Sequence, residues 1–239
     1  MTSPSRFVLF GPDHLAVLFL TVAIPALLVF LVRSRGGERR IQPIARGLAV
    51  SLVLSQVILM GYVLRLGLPF REHLPLQLCD WAMFTCVAAL LWRHRLAYEL
   101  TYFWGLAGTL QAVLTPDLEK AFPDPGFILF FVAHSGIIVA ILFLTLGLGM
   151  RPTLRSLWRA FLGLQVYAVT TILLNLWLGT NFGYLLRKPA RPSLLDYMGP
   201  WPWYIASLEV VGLALFFLFY APFALAKPSQ SSETKPGEG

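Results

Sequence analysis

Seven long apolar runs, parted by short polar stretches, organise this chain. They cover about 14–33, 44–66, 75–93, 97–115, 125–149, 157–179 and 202–225. At 1.5 Å of rise per residue, each is about as long as a helix needs to cross a hydrocarbon core of roughly 30 Å. None shows the two-residue alternation of a half-buried strand. The pattern predicts an all-α, polytopic membrane protein built as a seven-transmembrane-helix bundle. Residues 1–226 form a single transmembrane domain, and the polar tail 227–239 (KPSQSSETKPGEG) is expected to be disordered. The first run is too long for the apolar core of a cleaved signal and lacks a small-residue cleavage site, so it is read as a retained span. Pro25 inside it predicts a kink.

Composition sharpens this picture. Of 239 residues 57% are hydrophobic and only 13% charged, and the mean hydropathy is +0.69. Ordinary soluble domains do not look like this. The formal net charge of +7 invites nucleic acid as a partner, but the arginines cluster at span ends, where loop orientation explains them. The expected partners are membrane lipids, not nucleic acid, and the expected location is the cell membrane. Twelve Lys and Arg fall on the side of the first, third and fifth loops and the tail, against seven on the other. The positive-inside rule then places the amino terminus outside and the carboxyl terminus in the cytoplasm. Oligomeric state has no signature in the chain.

With that orientation, scattered polar residues become a layer. His14 opens the first span, Cys79 and Asp80 lie about a turn into the third, and Gln111 lies near the outer end of the fourth. His134 is some nine residues into the fifth, Asn175 closes the sixth, and Glu209 is two turns into the seventh. The inner half holds Glu99 at the edge of the fourth span, expected to pair with Arg95 or Arg93, and Gln56 and Gln165 near the midplane. Such asymmetry predicts a wet cavity open to the outside. Each amide also has a plainer reading as an interhelical hydrogen bond. Glu209 divides evenly between function and pairing.

Two members carry reactive chemistry: Cys79 in LPLQLCDWAMF and His134 in FFVAHSGIIVA. A free cysteine is commonly just a small buried apolar residue, and Cys86 is read that way. Cys79 becomes a nucleophile only with a basic partner, and His134, at similar depth, is the natural one. Pro75 is expected in the first turn of the third helix, setting Cys79 just past the strongest field of that helix terminus. The two cysteines lie seven apart on one helix, too far to bridge, and no metal site or cofactor is expected. The sixth loop, LLRKPARPSLLDYMGPWPWY, adds an aromatic belt of Trp201, Trp203 and Tyr204. Beside it, Arg187, Lys188 and Arg191 form a basic lip suited to a phospholipid head group, with Asp196 as a pairing alternative.

The segments LPLQLCDWAMF, YFWGLAGTLQAVLTPDL, FFVAHSGIIVA and KPARPSLLDYMGPWPWY resemble the YwaF-type family of bacterial integral membrane proteins. The resemblance runs from about His14 to Pro222. That family is similar in turn to the eukaryotic transmembrane protein 164 family, acyltransferases that move a fatty acyl chain onto lysophospholipids through a cysteine and a histidine. The resemblance implies that Cys79 and His134 hold those roles. It also implies an acyl-cysteine intermediate, formed on a donor phospholipid and passed to a lysophospholipid or to water. Gln111 or Asn175 would supply the oxyanion donor, with His14, Asp80, Glu209, Arg187 and Lys188 as binding or support residues. Two competing readings are a small-solute transporter or binding protein, with Glu209, His134 and Asp80 as a relay, and a structural partner in a membrane complex.

Overall fold

The computed structural model describes residues 6–189 and 194–225; the tail 227–239 and Arg191 lie outside them. Among the described residues every regular element is a helix, and an isolated bridge between Arg6 and Lys120 ties the amino-terminal segment to the fourth loop. Eight α-helices are α1 (Pro12–Arg33), α2 (Glu38–Arg65), α3 (Leu78–Trp92), α4 (Arg95–Trp104), α5 (Leu110–Leu114), α6 (Pro125–Leu142), α7 (Leu154–Leu178) and α8 (Trp203–Leu225). Two π-helical segments, Gly105–Thr109 and Phe143–Gly147, follow α4 and α6 without a break.

Local sequence explains the ends. Pro12 and Pro125 open α1 and α6, where a missing N–H costs nothing. Asp124 caps α6 through Gly126 N, and Thr153 and Ser156 cap α7 reciprocally. Gly179, with φ of +71°, ends α7 in the left-handed region that favours glycine.

Five helices are long and apolar enough to cross a membrane: α1, α2, α6 with its π segment, α7 and α8. The seven runs therefore do not all become long apolar helices. The third is only 15 residues, because Arg93 adopts φ of +51° and stops it. The fourth is a helix in three pieces, Arg95–Leu114, interrupted by π geometry and carrying Arg95 and Glu99.

The core is centred on α6. Phe127, Phe131 and the run Ile137–Ile141 are buried on it, with α1, α2, α3 and the α4–α5 helix packed around. By contrast α8 buries only Tyr204 and Phe216 and lies at the edge. Outward faces are greasy: Phe19, Phe30, Trp177 and Leu225 are each at least 70% exposed. In water such a surface would be untenable; against lipid tails it costs nothing. The molecule is a multi-pass helical membrane protein.

Candidate functional site

The third helix starts later than the prolines suggest. Its cap is Gln77, not Pro75, so Leu78, Cys79 and Asp80 form the first turn. Cys79 thus stands inside the strongest field of the helix terminus rather than beyond it. Asp80 is committed to building that terminus: its Oδ2 accepts from Gln77 N at 2.9 Å, closing a capping box. Gln77 Oε1 in turn accepts from Gly183 N at 2.9 Å, pinning the loop after α7 over the turn.

Cys79 lies on the stripe of α3 that continues through Ala82, Met83, Cys86 and Leu90, all buried. Both cysteines are free thiols. The Cys79 thiol faces the hydroxyl of Thr109, the last residue of the first π segment. That hydroxyl is fully buried and makes no well-formed hydrogen bond. In this π segment Leu110 N bonds back to Gly105 O. Gly105 is needed here, since a Cβ would lie 2.3 Å from Ile141 Cδ1. A second buried orphan, Thr171, neighbours Tyr167, whose ring meets Trp81 edge-on at 5.5 Å and whose Oη donates to Leu76 O at 3.2 Å.

His134 makes no hydrogen bond to Cys79 in this structure. Its Nδ1 is 2.8 Å from Phe130 O, and its ring stacks on Phe130 with centroids 4.1 Å apart. A carbonyl only accepts, so Nδ1 carries the proton and Nε2 presents a bare lone pair in the neutral ring. Register places it. Val113 and Phe131 both meet His14, and the Gly105 turn meets Ile137 and Ile141. The two helices are therefore antiparallel, with Thr109 and His134 at the same level. Of the two, it is Cys79 that faces the Thr109 hydroxyl.

The remaining expected residues divide sharply. His14 is fully buried with both ring nitrogens engaged: Phe10 N donates to Nδ1 at 3.0 Å, so Nε2 carries the proton and donates to Val113 O at 2.9 Å. It clasps α1 to α5. Asn175 is likewise consumed, receiving Thr180 Oγ1 and Phe182 N on Oδ1 and donating to Phe182 O. Neither side chain is left for a ligand. Glu209 Oε2 accepts from Gln165 Nε2 at 2.7 Å. Arg187 is exposed, its backbone held by Asn181, and Lys188 Nζ lies 5.7 Å over the Tyr204 ring. The Tyr204 hydroxyl bonds to Tyr184 O.

Gln111 and Glu209 do share a space. A chamber of about 570 Å³ opens between α5, α7, α8 and the loop after α7, walled by Leu78, Gly108, Gln111, Tyr167, Glu209 and Phe216. Its lining is mostly apolar, and the Gln111 amide makes no side-chain hydrogen bond among the described residues. Leu78, which precedes Cys79 in the chain, lines this chamber, and Cys79 itself does not. The sequence reading missed Thr109, Thr171 and Tyr167. Only the small-residue run Gly105–Thr109 (GLAGT) hinted at an unusual close approach there.

These features define an all-helical, multi-pass membrane protein with a half-buried thiol facing a buried hydroxyl near a mostly apolar chamber. The chain belongs to the TMEM164 family, whose model matches residues 9–220. It is also similar to an uncharacterized protein of Treponema pallidum (strain Nichols), 29% identical over 225 residues, or 94% of this chain and 92% of that one. No solved structure matches it. The YwaF-type label finds no counterpart among these matches.

Proposed function

We propose that the protein is a membrane-embedded acyltransferase acting on phospholipids, with Cys79 as nucleophile and His134 as base. The observation that carries this reading is the thiol in a helix's first turn, beside an orphaned hydroxyl and a chamber able to take an acyl chain. Family membership accords with it. Thr109, level with both residues, accepts the thiol proton as its own passes to His134 Nε2. The sulfur attacks the ester carbonyl of a donor phospholipid. The tetrahedral oxyanion then collapses, the lysophospholipid alkoxide leaves, and it takes the proton from the imidazolium. This leaves an acyl-Cys79 thioester. An acceptor hydroxyl gives its proton to His134, attacks the thioester, and the thiolate is reprotonated as it departs. Gln111 is the oxyanion donor, because Asn175 is committed elsewhere.

In this reading all seven runs traverse the bilayer. The short α3 and the three-piece α4–α5 helix are shielded by their neighbours, with the amino terminus outside and Cys79 in the outer half of the cell membrane. The test is intact-protein mass spectrometry after incubation with phospholipid. An acyl-sized mass gain that maps to Cys79 and vanishes in Cys79→Ser is expected; a protein that turns over lipid without one overturns the scheme.

One observation favours a second reading, a solute-binding or transport protein: Glu209 is a carboxylate in a chamber wall, held by a neutral amide rather than a cation. Transport should survive Cys79→Ala and fail in Glu209→Gln. Acyl transfer should do the reverse.

A further inference from the structure

The end of the bundle opposite Cys79 holds a second site. Trp92, Arg93 and His94 turn the chain from α3 into α4, about 20 Å of helix rise from Cys79. Five arginines gather there: Arg93, Arg95, Arg151, Arg155 and Arg159. The carboxylate embedded among them is Glu99, which is 2% exposed. It receives Arg95 Nε at 2.9 Å, Ser156 Oγ at 2.8 Å and Arg159 Nη1 at 3.3 Å. This fixes one edge of each guanidinium and turns the rest outward, their side chains still 48% and 46% exposed. Arg95 is held further by Arg151 O at 2.6 Å.

These two guanidiniums, with His94, Leu96 and Leu162, line a cleft of about 530 Å³. His94 Nδ1 accepts from Ala97 N, so its Nε2 keeps a proton to donate. The cleft also lies at the start of α4, whose first amides, Arg95 N and Leu96 N, have no acceptor among the described residues. The polar groups left free to meet a ligand at the cleft are donors, and the one nearby carboxylate is turned inward, accepting three hydrogen bonds. The rim is greasy: Leu96 and Leu162 are 41% and 64% exposed, and Trp92 and Trp158 stand exposed beside them as interfacial anchors do.

We propose that this cleft binds the phosphate of an anionic phospholipid, from the leaflet opposite the Cys79 side, with the tails running along Leu96 and Leu162. Glu99 is the positioning residue: it pre-sets two guanidiniums that would otherwise repel, so little ordering entropy is lost when the anion arrives. The apolar rim favours a lipid over free phosphate, and a preset fork favours a site over general attraction to a basic surface.

The test is native mass spectrometry of the full chain released from mixed phosphatidylglycerol and phosphatidylcholine bilayers. At least about tenfold preferential retention of phosphatidylglycerol is expected, since a few fixed cationic contacts near the surface suffice for that ratio. Arg159→Gln should abolish the preference, whereas Arg155→Gln, which removes the same charge outside the cleft, should leave it nearly intact. Equal loss in both variants would mean diffuse surface charge and overturn the site. So would displacement of the lipid by millimolar inorganic phosphate, which would make free phosphate the ligand. If Arg159→Gln fails to insert, Arg159→Lys decides: it keeps the charge against Glu99 but loses the fork, and retention equal to the native protein would overturn the proposal.

Discussion

The two ends of the bundle treat their polar groups in opposite ways. The buried Glu99 carboxylate accepts three hydrogen bonds, from two guanidiniums and a serine. Around Cys79 two hydroxyls, Thr109 and Thr171, are buried without a well-formed hydrogen bond. A buried polar group without a partner costs about 1–3 kcal/mol. The Glu99 end therefore reads as a fastening, the Cys79 end as a place left incomplete until something binds or reacts.

That contrast can be broken in stages. Cys79→Ala should lower phospholipid acyl transfer by about a thousandfold or more, by lipid mass spectrometry, with insertion unchanged. Glu99→Ala should act on stability instead. It strands two cations, and because both stay half in solvent the cost is about 2 kcal/mol. A lowered melting midpoint with normal turnover at permissive temperature is the expected result. Thr109→Val keeps shape and removes the hydroxyl, so turnover should fall by about ten- to a hundredfold while the melting midpoint holds or rises. A stability loss in that variant would show that the hydroxyl is fastened after all. The smallest effect belongs to Thr171→Val: stability higher by about 1 kcal/mol or less, by denaturant or thermal unfolding, with activity nearly unchanged.

Much of the helical order was legible because lipid demands long uninterrupted apolar runs, and α1, α2, α6, α7 and α8 answer to that rule. Where protein replaces lipid as the surround, the rule loosens. Thus α3 is short, and the fourth run carries Arg95 and Glu99 without penalty. Glu99 pairing with Arg95 followed from an i,i+4 spacing. The start of α3 did not, because Gln77 and Asp80 cap it in place of Pro75, a local bargain that hydropathy does not register. In the candidate site, depth along each helix is what the sequence offers for pairing His134 with Cys79, and depth says nothing about direction. His14 and Asn175, of the same expected layer, are spent as clasps. Threonines hide best, since their methyl lets them pass as apolar: Thr109 and Thr171 both read as part of a greasy run.

That π turn has one more consequence. A five-residue π segment is what an α-helix becomes when a single extra residue is squeezed into it. Removing one residue between Gly105 and Thr109 would restore ordinary winding and swing everything beyond by about 100°. Gln111 would leave the chamber wall, and Val113 would lose its register with His14. One surplus amino acid sets the angular phase of everything in this helix that follows it, up to Leu114.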